Sequence, residues 1–135
     1  MKFFLAMNPP TVTAQMHKVT VRQGKPAFYD TVQLKKARAQ FMAALKPEAP
    51  AEPLEGPVLL SVMWAFPTKT HKEDEFRITR PDTDNLEKLL KDCMTAAGFW
   101  KDDAQVCVEI VTKRWTRKCP GLLVVVEKLD VRRKT

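Results

Sequence analysis

Four aspartates and a lysine in one stretch of this chain have types and spacing suited to chemistry. The stretch is "RPDTDNLEKLLKDCMTAAGFWKDDAQV", residues 80–106. Asp82 and Asp84 stand one residue apart near its start, and Asp102 and Asp103 stand in tandem near its end. Carboxylates are hard oxygen donors, and two held together suit Mg2+ or Mn2+. If residues 82–84 are extended, Asp82 and Asp84 point to the same side. Lys88 lies one helical turn beyond Asp84 and shares its exposed face. Three carboxylates with a nearby lysine can hold one or two divalent ions on a phosphodiester. Such ions lower the pKa of an attacking water and stabilise the leaving oxygen. Lys88 would stabilise charge on the transition state or orient the nucleophile.

A plainer explanation competes at the first pair. Aspartate is common at helix starts, where it caps free N–H groups and complements the helix dipole. Asp84 with Glu87 three residues on matches a capping box, Asp84 at N-cap and Glu87 at N3. On "DTD" alone capping outweighs metal binding. The second pair shifts the balance. Asp102 and Asp103 lie past the helix C-terminus, where the dipole disfavours acids and a cap does not explain them. A turn is the remaining structural explanation. The helix spans about 20 Å. The five residues from Gly98 to Asp103 reach at most about 17 Å. Asp103 can therefore fold back toward the Lys88 turn, although nothing forces it to.

The elements that must position these groups are legible in outline. Leu86, Leu89, Leu90, Cys93, Met94 and Ala97 recur at helical spacing and form one core-facing stripe. Gly98 follows as a C-terminal stop. Upstream, residues 2–7 read as a strand ending at Pro9-Pro10, and 15–21 as a second strand followed by a turn at Gln23–Pro26. Asp30 or Thr31 can cap a helix running to about Leu45, with Leu34, Ala37, Phe41, Ala44 and Leu45 as its apolar face. Residues 46–57 hold four prolines and read as a surface connection. Residues 58–66, "VLLSVMWAF", read as a central strand, with Trp64 and Phe66 in the core. Residues 67–81 form a long loop of mixed charge. "VCVEIVTKRW" and "LLVVVEKL" read as two further strands joined by a hairpin turn at Cys119-Pro120-Gly121. The expectation is one α+β domain over 1–135, with a mixed or mostly antiparallel sheet and helices packed on it.

Composition narrows the partners. The chain has 135 residues, net charge +7 and a pI near 9.5. An excess of Lys and Arg favours an anionic partner, most often nucleic acid, over charge kept for solubility alone. The basic residues are spread along the chain, including Lys35, Lys36, Arg38, Lys113, Arg114 and 132–134, which suggests a folded basic surface. In the long loop, Lys69, Lys72, Arg77 and Arg80 could contact DNA, and Phe76 could stack or wedge at its bases. Three cysteines without a CxxC pair argue against disulfides and zinc and fit a reducing, cytoplasmic setting. His17 and His71 are far apart and make no ligand pattern. No apolar run approaches a membrane span. "MKFFLAMNPP" is too short in its apolar part for a signal peptide and reads as a strand.

The stretch from residue 80 closely resembles the core motif of the RusA-like Holliday junction resolvases. The matching positions are Arg80, Pro81, Asp82, Asp84, Asn85, Leu86, Lys88, Asp92, Gly98, Trp100, Asp102, Asp103, Gln105 and Val106. "NPPTVTAQ" is similar to a Pro-Pro-Ser-x-Asn turn of that family, with Thr11 and Thr13 in place of the Ser and Asn. The resemblance implies that Asp82, Asp84 and Asp103 are metal-binding catalytic acids and Lys88 the catalytic lysine. Asp102 is a neighbour of open role. It also implies a homodimer that makes paired nicks in four-way DNA junctions, with Mg2+ or Mn2+, in recombination and repair. Two-fold symmetry in the enzyme would match that of a junction. The competing reading is a basic DNA-binding protein without catalysis, whose acids are caps and turns. The intact set Asp82, Asp84, Lys88 and Asp103 weighs against it.

Overall fold

The computed structural model describes residues 1–11, 17–22 and 25–130. Thr13, Gln15, Met16, Gln23, Gly24 and the basic residues 132–134 lie outside them. Alternation of buried and exposed residues makes Lys2–Ala6 a strand, β1. His17–Arg22 (β2) and Lys25–Asp30 (β3) pair antiparallel as a separate two-stranded sheet. β3 is a strand the sequence did not signal, because Lys25 and Pro26 sit where turn chemistry was expected. Thr31 then caps α1, Val32–Leu45, accepting from the Leu34 N–H at 3.1 Å. Its buried residues are Leu34, Ala37, Phe41 and Leu45.

The proline-rich connection contains a short 3-10 helix at Lys46–Glu48 and an isolated bridge between Leu54 and Trp100. β4 follows at Val58–Pro67, α2 at Thr83–Ala97, β5 at Val106–Thr116 and β6 at Gly121–Lys128. The main sheet runs β1-β6-β4-β5, with β4 parallel to β5 and the other pairs antiparallel. The expected mixed α+β architecture is the one observed.

One connection differs. β5 and β6 do not form a hairpin, since β4 lies between them. The residues between Thr116 and Gly121 must cross two strand spacings, about 10 Å, which a tight turn cannot do. Gly121 is needed on arrival. A Cβ there would stand 2.3 Å from the Leu5 carbonyl oxygen, so only glycine lets β6 meet β1 so closely.

Strict alternation along β4 turns Val58, Leu60, Val62, Trp64 and Phe66 into the core beneath the helices. α2 answers with Leu86, Leu89, Leu90, Cys93 and Met94. Gly98 ends α2 in a left-handed conformation (φ 96°), and the Phe99 N–H returns to the Met94 carbonyl at 3.1 Å. Phe99 and Trp100 then drop into the core. Among the described residues no helix is long and apolar enough to cross a membrane.

Candidate active site

α2 starts two residues earlier than its sequence suggests. The N-cap is Asp82, in an extended conformation, and its side chain makes no capping hydrogen bond. Asp84 lies inside the first turn, and among the described residues no hydrogen bond or ion pair engages its carboxylate. The expected capping box is therefore absent. Glu87 does not reach back to a cap. It is 2% exposed and accepts from the Trp64 indole N–H at 2.8 Å. A buried indole needs an acceptor, and that need outcompetes the cap. Asp82 and Asp84 are left exposed at a helix N-terminus, spared from structural work.

The lead-in to Asp82 is held from outside the motif. Arg80–Pro81 is a cis peptide. Lys113 Nζ, on β5, donates to the carbonyls of Thr79 at 2.8 Å and Pro81 at 2.7 Å. Burial and the charge of Arg77 pull the Lys113 ammonium below the usual lysine range, while Asp82 opposes them. The motif contains no hint of Lys113, which lies some thirty residues downstream. Only the packing of β5 under α2 brings it in. Lys88, one turn past Asp84, is exposed and pairs with Asp92 at 3.2 Å.

At the other end of α2 a cap does explain one acid. Asp102 caps a 3-10 helix at Asp103–Gln105, accepting from the Ala104 N–H at 2.9 Å. The Gln105 side chain accepts from the N–H of Asp102, which completes a capping box there. The expectation that capping could not account for Asp102 is corrected, because the helix it caps is the following one. Gln105 also donates to the carbonyls of Leu54 (2.9 Å) and Gly56 (3.0 Å), fixing the turn to the proline-rich connection. No such bond engages the Asp103 carboxylate among the described residues.

The two ends do not meet within one chain. α2 and β5 lie antiparallel: Lys91 pairs with Glu109 at 3.2 Å, and Lys113 reaches Pro81 near the helix start. Asp103 precedes β5 and so sits at the helix's C-terminal end. The fifteen residues of α2, about 22 Å in length, lie between Asp82 and the turn that leads to Asp103. Among the described residues no three His, Cys, Asp or Glu are grouped closely enough to hold a metal ion. Asp82 and Asp84 offer two carboxylates at the helix start, and Asp103 is not grouped with them.

The long loop is tied to β5. Phe76 bridges to Arg114, the Arg77 N–H donates to Lys113 O (3.0 Å), and the Trp115 N–H donates to Glu75 O (2.8 Å). Arg77, expected as a DNA contact, is half-buried. Its guanidinium lies 4.3 Å from the Phe66 ring centre and 4.5 Å from that of Trp115. It also donates to Thr79 Oγ1 and to the Arg80 carbonyl. Such a sandwich contributes about 1–2 kcal/mol. Arg77→Ala should therefore speed amide exchange at Trp115 roughly ten-fold, and Arg77→Lys should recover little of the loss. Unchanged exchange in Arg77→Ala would show that the loop is held elsewhere. Lys69, Lys72 and Arg80 are exposed. Phe76 is 61% exposed, with the Arg114 guanidinium over its ring, and Ile78 is 93% exposed. Ile78 escaped sequence reasoning, although an apolar residue in a charged loop was a usable signal.

A family model described as "Endodeoxyribonuclease RusA" matches residues 8–127. A protein of Lactococcus phage r1t, "Crossover junction endodeoxyribonuclease rusA", is 31% identical over 108 residues. That match covers 78% of this chain and 81% of the phage protein.

Proposed function

This chain belongs to the RusA family of endodeoxyribonucleases, and on that premise we propose that it resolves four-way DNA junctions by paired nicks. Its catalytic acids are Asp82, Asp84 and Asp103, its lysine is Lys88, and its cofactor is Mg2+ or Mn2+. The observation that carries the reading is the freedom of Asp82 and Asp84. A helix start normally spends such carboxylates on capping, and this one does not. Hard-oxygen donors of this type suit either ion. Lys88, one turn beyond Asp84 and now paired with Asp92, would leave that exposed pair to act on a phosphate held at the helix start.

The basic loop supplies the complementary surface. Lys69, Lys72 and Arg80 would contact phosphates, while Phe76 and Ile78 would meet bases unstacked at the crossover. Arg77 and Lys113 hold that loop against β5 and so position Asp82. A cytoplasmic setting and a role in recombination and repair complete the proposal. The three cysteines, none of them in a disulfide, suit a reducing compartment.

The test is an end-labelled four-way junction incubated with Mg2+, Mn2+ or EDTA, beside a linear duplex of the same sequence. Symmetric nicks in the junction with either metal, none in EDTA, and little cutting of the duplex are expected. Binding without cleavage in every lane would instead favour a non-catalytic DNA-binding protein. Affinity should also fall steeply with salt, and Lys72→Ala should reduce the logarithmic slope by about 0.9 if that lysine meets one phosphate.

A further inference from the structure

Glu87 lies on the inward face of α2, three residues after Asp84 and one before Lys88. Its Oε1 accepts from the Trp64 indole at 2.8 Å. Its Oε2 is also buried and has no hydrogen-bond partner among the described residues. The group beside that oxygen is a second carboxyl, Glu109 of β5, which Lys91 of α2 holds at 3.2 Å. A buried oxygen that meets only another acceptor is satisfied in one way: it carries a proton and donates it. Burial outweighs the Trp64 bond in favouring that proton, and the charge of Glu109 adds to it.

This one proton joins three elements. Trp64 belongs to β4, Glu109 to β5, and Glu87 and Lys91 to α2. Trp64 also stacks on Phe66, with ring centres 6.3 Å apart. The Arg77 guanidinium covers Phe66 and donates to the Arg80 carbonyl, two residues before Asp82. The helix that carries Asp84 and Lys88 and the segment that leads to Asp82 therefore rest on the same aromatic pair.

We propose that Glu87 is a positioning residue for cleavage: protonated and donating to Glu109, it seats α2 on β5 and so aims Asp84 and Lys88 at a phosphate beside Asp82. This rests on the reading of those residues as the catalytic set. Without the proton, two carboxylates would face each other with Lys91 as the cation beside them. β4 presents the uncharged indole, and α1 places its Arg38 farther along, beside Cys93. Like charges this close and this poorly hydrated repel strongly. α2 would ease away from β5, while Lys113 kept the Pro81 carbonyl on β5. Asp84 and Lys88 would then lose their register with the lead-in to Asp82. The exposed loop that meets DNA takes no part in this contact, so binding should survive where cleavage fails.

Single-turnover cleavage of a labelled junction in Mg2+, measured from about pH 6 to about pH 10, compares the wild type with Glu87→Gln. The amide accepts from Trp64 and donates to Glu109 with no proton to lose. The two rates should agree near the acid end and part above about pH 8, where Glu87 ionises. The variant should be about ten-fold faster at about pH 9, with equal junction affinity throughout. A ratio that stays flat across the range overturns the inference. So does a wild type that is simply unfolded by circular dichroism where it slows. The Trp64 indole N–H resonance gives an answer independent of cleavage. It should titrate in the wild type with a midpoint near 8 and stay fixed in Glu87→Gln. A wild-type resonance that does not move would also overturn the inference. A resonance that titrates in a protein cutting no junction at any pH would keep the contact between α2 and β5 and sink the proposed function instead.

Discussion

Replacing Asp82 by Asn should reduce junction cleavage about a thousand-fold while leaving junction binding intact or tighter. A metal-held carboxylate supports several kcal/mol of transition-state stabilisation, and each 1.36 kcal/mol is a factor of ten. Asn keeps the size and can still act as an N-cap, so the fold has no reason to change. Removing a negative charge near DNA lowers repulsion in metal-free buffer, which accounts for the tighter binding. Asp84→Asn should behave alike, since among the described residues no hydrogen bond or ion pair engages its carboxylate either. Asp103→Asn should also lose cleavage and retain its fold, whereas Asp102→Asn should do little beyond a slight loss at the 3-10 cap. The measurement is single-turnover cleavage beside a gel-shift titration. If Asp82→Asn cut at the wild-type rate, the acids at the helix start would not be catalytic.

The second large effect concerns Glu87 and pH. Burial pushes its carboxyl up to about 8, from an ordinary value of 4.5. The Trp64 indole works against that rise, and the neighbouring Glu109 adds to it. Below about pH 4.5 folded and unfolded chains both hold this proton, and the group is neutral to stability. Between 4.5 and 8 the unfolded chain releases it while the folded chain keeps it, so stability falls as pH rises. Above 8 the folded carboxyl ionises as well, and the loss stops growing. The full loss is on the order of a few kcal/mol. Glu87→Gln can still accept from Trp64 but cannot ionise. Its unfolding free energy in urea should match that of the wild type near pH 4 and exceed it by about 2–4 kcal/mol at pH 8. Parallel curves for the two proteins would show that Glu87 is ionised in the fold.

Local chemistry was readable from the sequence because its causes are local. The apolar stripe from Leu86 to Met94, the stop at Gly98 and the strand-favouring apolar run Val58–Phe66 are local signals, and the helix, its stop and the central strand are all observed. The acids were identified as a candidate set by their types and spacing alone. What the sequence could not supply was set by distant partners. Trp64 drew Glu87 inward and removed the expected capping box. A helix after α2, rather than α2 itself, gave Asp102 its work. Insertion of β4 between β5 and β6 replaced the expected hairpin, because strand order depends on pairing across the whole sheet. Above all, Asp82 and Asp103 flank opposite ends of α2, a rigid rod about 22 Å long lying antiparallel to β5. Spacing along the chain marked the acids as one candidate set. Only the tertiary structure decided that Asp103 is not grouped with Asp82 and Asp84 within the chain, because β5 runs antiparallel to the rigid α2.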